Sequence, residues 1–234
     1  WCCLVGSEMC IRDRDKVVDD FHLLINDTKK SFPDLKQFVF AHSMGSWIAL
    51  SLLKKELIID GLILSASAKY PQFLITFQKL IIKIDIFFNG RNKLNNIMER
   101  LTTKRFNSNF KPNRTEFDWV SDDEDSVDNY IKDDLCGFKV TNGFWLDMVE
   151  GIESTFKDEN YLSNNKNLRI LLVAGSKDPV GDNGKGVERL YTFLKNHFKN
   201  LSLFTFGNGR HEIFSDLNKD RRYKLLTDFF DEEI

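Results

Sequence analysis

The chain has 234 residues, 42% of them hydrophobic, and a formal net charge of -2. That is enough apolar material for one α/β domain with a core of its own, and the charge balance excludes a nucleic-acid surface. No apolar run reaches the about 18 residues needed to span a bilayer; the longest, Phe73–Phe88, is interrupted by Thr76, Gln78, Lys79, Lys83 and Asp85 and suits contact with a membrane rather than passage through it.

Residues 1 to about 14 fit no structural pattern. They lack the basic start, apolar core and small-residue cleavage site of a signal peptide. Met9-Cys10-Ile11-Arg12-Asp13 back-translates as ATG-TGT-ATA-AGA-GAC, which resembles the transposon end used in DNA library preparation. The opening is therefore read as translated adaptor, and the chain as truncated at its N-terminus. Cys2, Cys3 and Cys10 fall in that stretch, leaving Cys136 alone beyond it. This is no disulfide framework, and a cytoplasmic location is expected.

Asp15–Ser31 is predicted as a helix from Val17, Phe21, Leu24 and Ile25, and Pro33 follows its end. Gln37–Phe40 is a short continuous apolar run, as a buried parallel strand requires. Ala41–Gly45 is a turn, and Ser46–Lys55 is a second amphipathic helix. Gly61–Ser65, Leu168–Ala174 and Leu201–Phe206 are further buried strands, with helices over Gly186–Phe198 and Arg221–Asp231. Strands alternating with helices give an α/β fold, a mostly parallel sheet with helices on both faces. The interval 69–160 breaks the alternation and is expected to be an inserted helical cap. It divides a core of 15–68 and 161–234. Within it Pro71–Leu101 looks helical, and the acidic stretch Asn107–Asp134 is expected to be a solvated loop.

Ser43 lies between a buried strand and an amphipathic helix, in Ala41-His42-Ser43-Met44-Gly45. This is the setting of a nucleophile elbow, in which a strained turn exposes the serine hydroxyl above the sheet. The Met44 backbone N–H and the helix N-terminus are placed to stabilise an oxyanion. Serine needs a base, and in such a sheet the acid and then the histidine follow on later strand loops. Asp178, in Gly175-Ser176-Lys177-Asp178-Pro179-Val180, follows the third strand. His211, in Gly207-Asn208-Gly209-Arg210-His211-Glu212, follows the last. Of the other histidines, His22 and His197 belong to helices, and His42 reads as packing within the elbow. Asp before Pro is also a common turn device. Glu212 is placed where it could pair locally with Arg210, and it is assigned no chemistry. No metal is expected, because no His/Cys cluster has ligand spacing. The glycines of Gly181–Gly186 lack the full phosphate-loop pattern.

Ala-His-Ser-Met-Gly, Gly-Ser-Lys-Asp-Pro-Val and Gly-Arg-His-Glu together resemble the monoacylglycerol lipase and lysophospholipase group of α/β-hydrolases, also called serine aminopeptidase-like. The stretch from Phe117-Asp118-Trp119 to Leu135-Cys136-Gly137-Phe138 is similar to bacterial members. The resemblance runs from about Asp15 to the C-terminus. It implies a cofactor-free carboxylic-ester hydrolase for small lipid-like esters, with Ser43 as nucleophile, Asp178 as acid and His211 as base. Ala41 replaces the usual glycine of the elbow. The early strands and the His-Gly oxyanion loop of the group, roughly 60–90 residues, are absent. Loss of one oxyanion donor costs about 100- to 1000-fold in turnover, so this polypeptide alone is expected to fold poorly and to be nearly inactive.

Phe73, Phe77, Ile81, Phe87 and Phe88 are candidates to line an acyl pocket or to dock the cap peripherally on lipid, and ordinary packing explains them equally well. The sequence leaves open an aminopeptidase or thioesterase with the same triad, and a non-catalytic binding protein on the same scaffold. Oligomeric state is not encoded in any pattern here.

Overall fold

Helix α1 spans Arg14–Ser31 and buries Val18 and Ile25, one heptad apart, while Val17 and Phe21 pack beside them. Leu24, expected on that face, is 59% exposed. The computed structural model describes residues 14–161 and 165–231; the stretch 1–13, read as adaptor, lies outside them. Arg14 opens α1, and its guanidinium bonds the Ser51 and Thr155 hydroxyls.

Four strands follow: β1 (Phe38–His42), β2 (Gly61–Ser65), β3 (Arg169–Gly175) and β4 (Leu201–Phe206). They pair in sequence order, all parallel, so that Phe40 faces Ile63 and Ile63 faces Leu171. Side chains alternate across the sheet. Leu62, Leu64, Ile170, Leu172 and Ala174 enter one core, while Ile63, Leu171 and Val173 enter the other with Ile213, Leu225 and Phe229. Burial on both faces explains why β2 and β3 read as continuous apolar runs; β1 and β4, expected to be buried, are the edge strands of this sheet and leave Phe40 and Phe204 exposed. Each buried Leu or Ile contributes about 1.5–3 kcal/mol. Helices α2 (Met44–Leu52), α8 (Lys185–Leu194) and α9 (Asp220–Phe230) complete the layers.

Between β2 and β3 lie α3 (Gln72–Asn89), α4 (Asn96–Glu99), α5 (Arg105–Asn107), α6 (Glu124–Lys132) and α7 (Asn142–Thr155). The helix expected over Pro71–Leu101 is broken. It stops at Gly90, which has φ 86°, and α4 restarts where the Asn95 side chain accepts from the Met98 N–H. Helix α3 buries Ile75 and Ile82 and is tied to α7 by Lys79–Glu153 at 2.5 Å and Lys83–Glu150 at 3.7 Å.

The stretch Asn107–Asp134 is not a solvated loop. Its acids Glu124 and Asp125 form the first turn of α6, where the helix dipole favours them. Its middle is buried at Asp118 and Ser121. The Ser121 hydroxyl donates to Asp216 Oδ1 at 3.0 Å, the Asp122 N–H donates to the same oxygen at 2.9 Å, and Arg222 pairs with Asp216 Oδ2 at 3.1 Å. Asp216→Ala would leave the Arg222 charge buried and uncompensated. The expected cost is about 3–5 kcal/mol, measurable as a fall in the urea midpoint with unchanged slope.

Candidate active site

Ser43 sits at the C-terminal end of β1, where the chain turns directly into α2. The turn puts it at φ 52° and ψ -123°, a region that costs a non-glycine residue about 1–3 kcal/mol and persists only when its surroundings over-determine it. Here they do. The Ser43 N–H donates to the Ser65 carbonyl at 2.9 Å, the Ser46 N–H donates to the Ser43 carbonyl at 2.9 Å, and the Ser46 hydroxyl donates to that carbonyl at 2.5 Å. Ala41 is buried in the core, which is why only a small residue suits that position. Ser43 is half-buried and therefore reachable. Met44 is the first residue of α2, so its N–H is one of the four that a helix cannot bond internally.

Asp178 lies in the loop after β3 and is fully buried. Its Oδ1 accepts from the Val180 N–H at 2.9 Å and stands 3.1 Å from His211 Nδ1. The turn role of Asp178 and its contact with histidine thus coexist in one side chain. His211 follows β4, and its Nε2 stands 2.9 Å from Ser43 Oγ. Sequence positions 43, 178 and 211 therefore meet as one hydrogen-bonded line. With Nδ1–H donating to Asp178, Nε2 is left as acceptor for the Ser43 hydroxyl.

Two loops hold this line. The Ser176 N–H donates to the Phe206 carbonyl and the Lys177 N–H to the Gly209 carbonyl, each at 2.9 Å. The loops touch so closely that a Cβ on Gly175 would stand 2.2 Å from the Gly209 carbonyl oxygen; only glycine fits there. From the other side, the His211 N–H donates to the Trp119 carbonyl at 3.4 Å, and the Trp119 ring lies 5.1 Å from the imidazole. Arg210 donates to the carbonyls of Asp118 and Ser121.

Burial disfavours the His211 imidazolium. The Asp178 carboxylate, by its charge and its hydrogen bond, and the Glu212 charge outweigh that burial, so the His211 pKa stands above the ordinary 6.5. A serine beside a histidine of raised basicity can surrender its proton, and the histidine can later return it to a leaving group.

Glu212 does not pair with Arg210. Its Oε1 stands 2.9 Å from His42 Nε2, while His42 Nδ1 lies 3.1 Å from Ser65 Oγ. His42 is therefore more than packing. The available signal is adjacency: His42 precedes Ser43 and Glu212 follows His211, so joining one pair joins the other. Nitrogens of His42 and His211 and an oxygen of Glu212 come within 4.8 Å of one another. Both His211 nitrogens stand within hydrogen-bond distance of Asp178 and Ser43.

The five pocket candidates lie on α3. Phe73, Phe77, Phe87 and Phe88 are at the surface, the last two 82% and 76% exposed, and Ile81 packs partly against the core. Packing accounts for Ile81 and not for the four phenylalanines.

No curated protein sequence matches the chain. A carboxyl esterase from Bacillus coagulans, solved with glycerol, superposes with a TM-score of 0.79 at 24% identity, covering 92% of this chain and 70% of that one. A monoglyceride lipase from Saccharomyces cerevisiae, solved with a substrate analog, gives 0.71 at 16% identity, covering 97% of this chain and 72% of the lipase. A monoacylglycerol lipase from Paleococcus ferrophilus gives 0.59 at 18% identity, over 91% and 74% of the two chains. Residues 5–218 match the sequence model of the family described as "Serine aminopeptidase, S33". With its four parallel strands, the turn at Ser43 and this match over most of its length, the chain belongs to the serine aminopeptidase family of α/β-hydrolases.

Proposed function

We propose that the protein is a serine hydrolase of carboxylic esters whose substrates are small and lipid-like, of the monoacylglycerol or lysophospholipid kind. One observation carries this reading: the continuous line from Asp178 through His211 to the Ser43 hydroxyl, at 3.1 and 2.9 Å. In the first step His211 Nε2 takes the Ser43 proton as Oγ attacks the ester carbonyl. The Met44 N–H faces the developing oxyanion. His211 then protonates the departing alcohol, leaving an acyl group on Ser43. In the second step water gives a proton to His211 and attacks the acyl carbonyl; His211 returns that proton to Ser43 Oγ as its bond to the acyl carbon breaks, which frees the fatty acid and restores the serine.

The exposed face of α3 supports a lipid source for the substrate. Phe73, Phe77, Leu80, Ile84 and Phe87 recur at helical spacing and are 49–82% exposed. No described helix is long and apolar enough to cross a membrane; an exposed apolar helix face of this kind suits contact with a lipid surface. Phe73→Ser with Phe77→Ser is expected to weaken sedimentation with phosphatidylcholine vesicles about 10-fold or more, since burying each ring is worth about 1.5–3 kcal/mol. Hydrolysis of water-soluble short-chain esters should be unaffected.

The family's name favours a second reading, cleavage of an N-terminal residue from a peptide. That activity needs a carboxylate to grip the ammonium group, and Glu212 is engaged by His42. The test is labelling with a fluorophosphonate, mapping of the labelled peptide, and comparison of p-nitrophenyl esters of several chain lengths with amino-acid p-nitroanilides. A label on Ser43 with turnover of esters, rising for longer acyl chains, is expected. Turnover of anilides alone would replace the esterase reading, and no label on a folded protein would remove both.

A further inference from the structure

Ester hydrolysis as proposed above uses Asp178, His211 and Ser43, yet a second carboxylate stands beside them unused. Glu212 is half-buried, next in the chain to His211. Its backbone N–H donates to the Val120 carbonyl at 2.7 Å, and its carboxylate faces His42 at 2.9 Å. The His42 ring centre is 5.0 Å from that of His211. Nothing in the serine–histidine–aspartate line requires this arrangement.

We infer that Glu212, fixed by His42, is a positioning residue for the reaction: a second anion that stabilises the His211 imidazolium while Ser43 gives up its proton. This rests on the ester-hydrolase reading of the same site.

The argument begins with which charges surround His211. From β1 comes His42, from the β3 loop Asp178, and from its own loop Arg210 and Glu212. The segment before α6 covers it with Trp119. Arg210 is turned to the carbonyls of Asp118 and Ser121 and lies over the Phe110 ring. The Asp118 carboxylate is occupied by Thr115 and Arg114, and Asp216 by Arg222. The carboxylates left to act on His211 are Asp178 and Glu212, and both raise its basicity. Glu212 is itself ionised. Burial opposes its charge, but His42 and His211 outweigh burial and hold it below the usual carboxylate range. His42 holds the carboxylate in place, its Nε2 2.9 Å from Glu212 Oε1 and its Nδ1 3.1 Å from Ser65 Oγ. A carboxylate oxygen of Glu212 and a ring nitrogen of His211 lie within 4.8 Å of each other.

A charge held this way acts where it matters. A neutral His211, the form able to accept the Ser43 proton, gains little from it. In the transition state His211 is cationic and gains most, which is the condition for a rate effect. Surface ion pairs contribute little because both partners are solvated and mobile. Here the carboxylate is pinned at both its backbone and its head.

The decisive measurement is an NMR titration of the His211 imidazole in the full-length protein, with Glu212→Gln and Glu212→Asp beside it. The glutamine side chain can still accept from His42 but carries no charge; the aspartate side chain keeps the charge on a shorter arm. In Glu212→Gln the His211 pKa is expected to fall by about half a unit to one unit. The acid limb of kcat/KM should move down with it, and kcat should drop about 3- to 10-fold. Glu212→Asp should restore the pKa towards the parent value. An unmoved His211 pKa in Glu212→Gln, or equal changes in the two variants, overturns the inference and makes the pair a structural tie only. The titration needs no turnover, so absence of esterase activity in the parent protein would strike the proposed function separately.

Discussion

Replacing Ser43 or His211 by alanine is expected to lower kcat for ester hydrolysis about 10⁶-fold, and replacing both should cost almost nothing more. The reason is geometric. Ser43 Oγ and His211 Nε2 are two ends of one hydrogen bond, 2.9 Å long, and the proton that crosses it belongs to both. Without the imidazole the hydroxyl stays protonated, and without the hydroxyl the imidazole has nothing to activate. KM for a soluble ester should change little, because neither group contributes much to holding the ground-state substrate. Single-turnover kinetics on the three variants checks this. Costs that multiply in the double variant would mean that the two side chains act independently and that the proposed relay is wrong.

Asp178→Asn is expected to lower kcat about 10⁴-fold while leaving the fold intact. An asparagine presents an N–H to His211 Nδ1, which must then accept, so the ring proton moves to Nε2 and the atom facing Ser43 ceases to be a base. The variant also removes the largest charge that raises the His211 pKa. The sign follows directly. Neutral His211 is the active form, so activity in the parent protein falls as pH drops through a pKa above 6.5. With the anion gone, the residual activity should survive to lower pH. The same shift is linked to stability: the raised pKa favours the folded state fully below pH 6.5, and the benefit fades as pH rises through the folded value. A pH profile of kcat/KM for both proteins checks the direction.

Much of this site can be read in the chain because it depends on local punctuation. Leu201–Phe206 is rich in Leu and Phe and is ended by Gly207, and the strand occupies those same residues. Ser43, Asp178 and His211 each follow such a run, and parallel strands place all such endings along one sheet edge. What the pattern hides is non-local. Asp216 and Ser121 are 95 residues apart, and no periodicity announces that a polar serine in an acidic stretch is buried against a distant carboxylate. His42 and Glu212 look ordinary until β1 and the β4 loop are side by side. Helix α3 reads too long from its pattern because Phe73–Phe88 is so largely apolar, although Gly90 and Asn95 mark its stop and the next start.

The seam between residues 118–122 and 210–216 has a consequence for anyone who recombines such proteins. The segment between β2 and β3 looks like a cassette that could be exchanged among relatives to alter substrate choice. It is not self-contained. The His211 N–H, the Glu212 N–H and the Arg210 guanidinium all find their acceptors in it, at Trp119, Val120, Asp118 and Ser121. A chimera that swaps the segment and keeps the β4 loop severs these bonds and loosens the base itself. The natural unit of exchange is therefore the segment together with Arg210–Asp216, two pieces far apart in the gene that must travel as one.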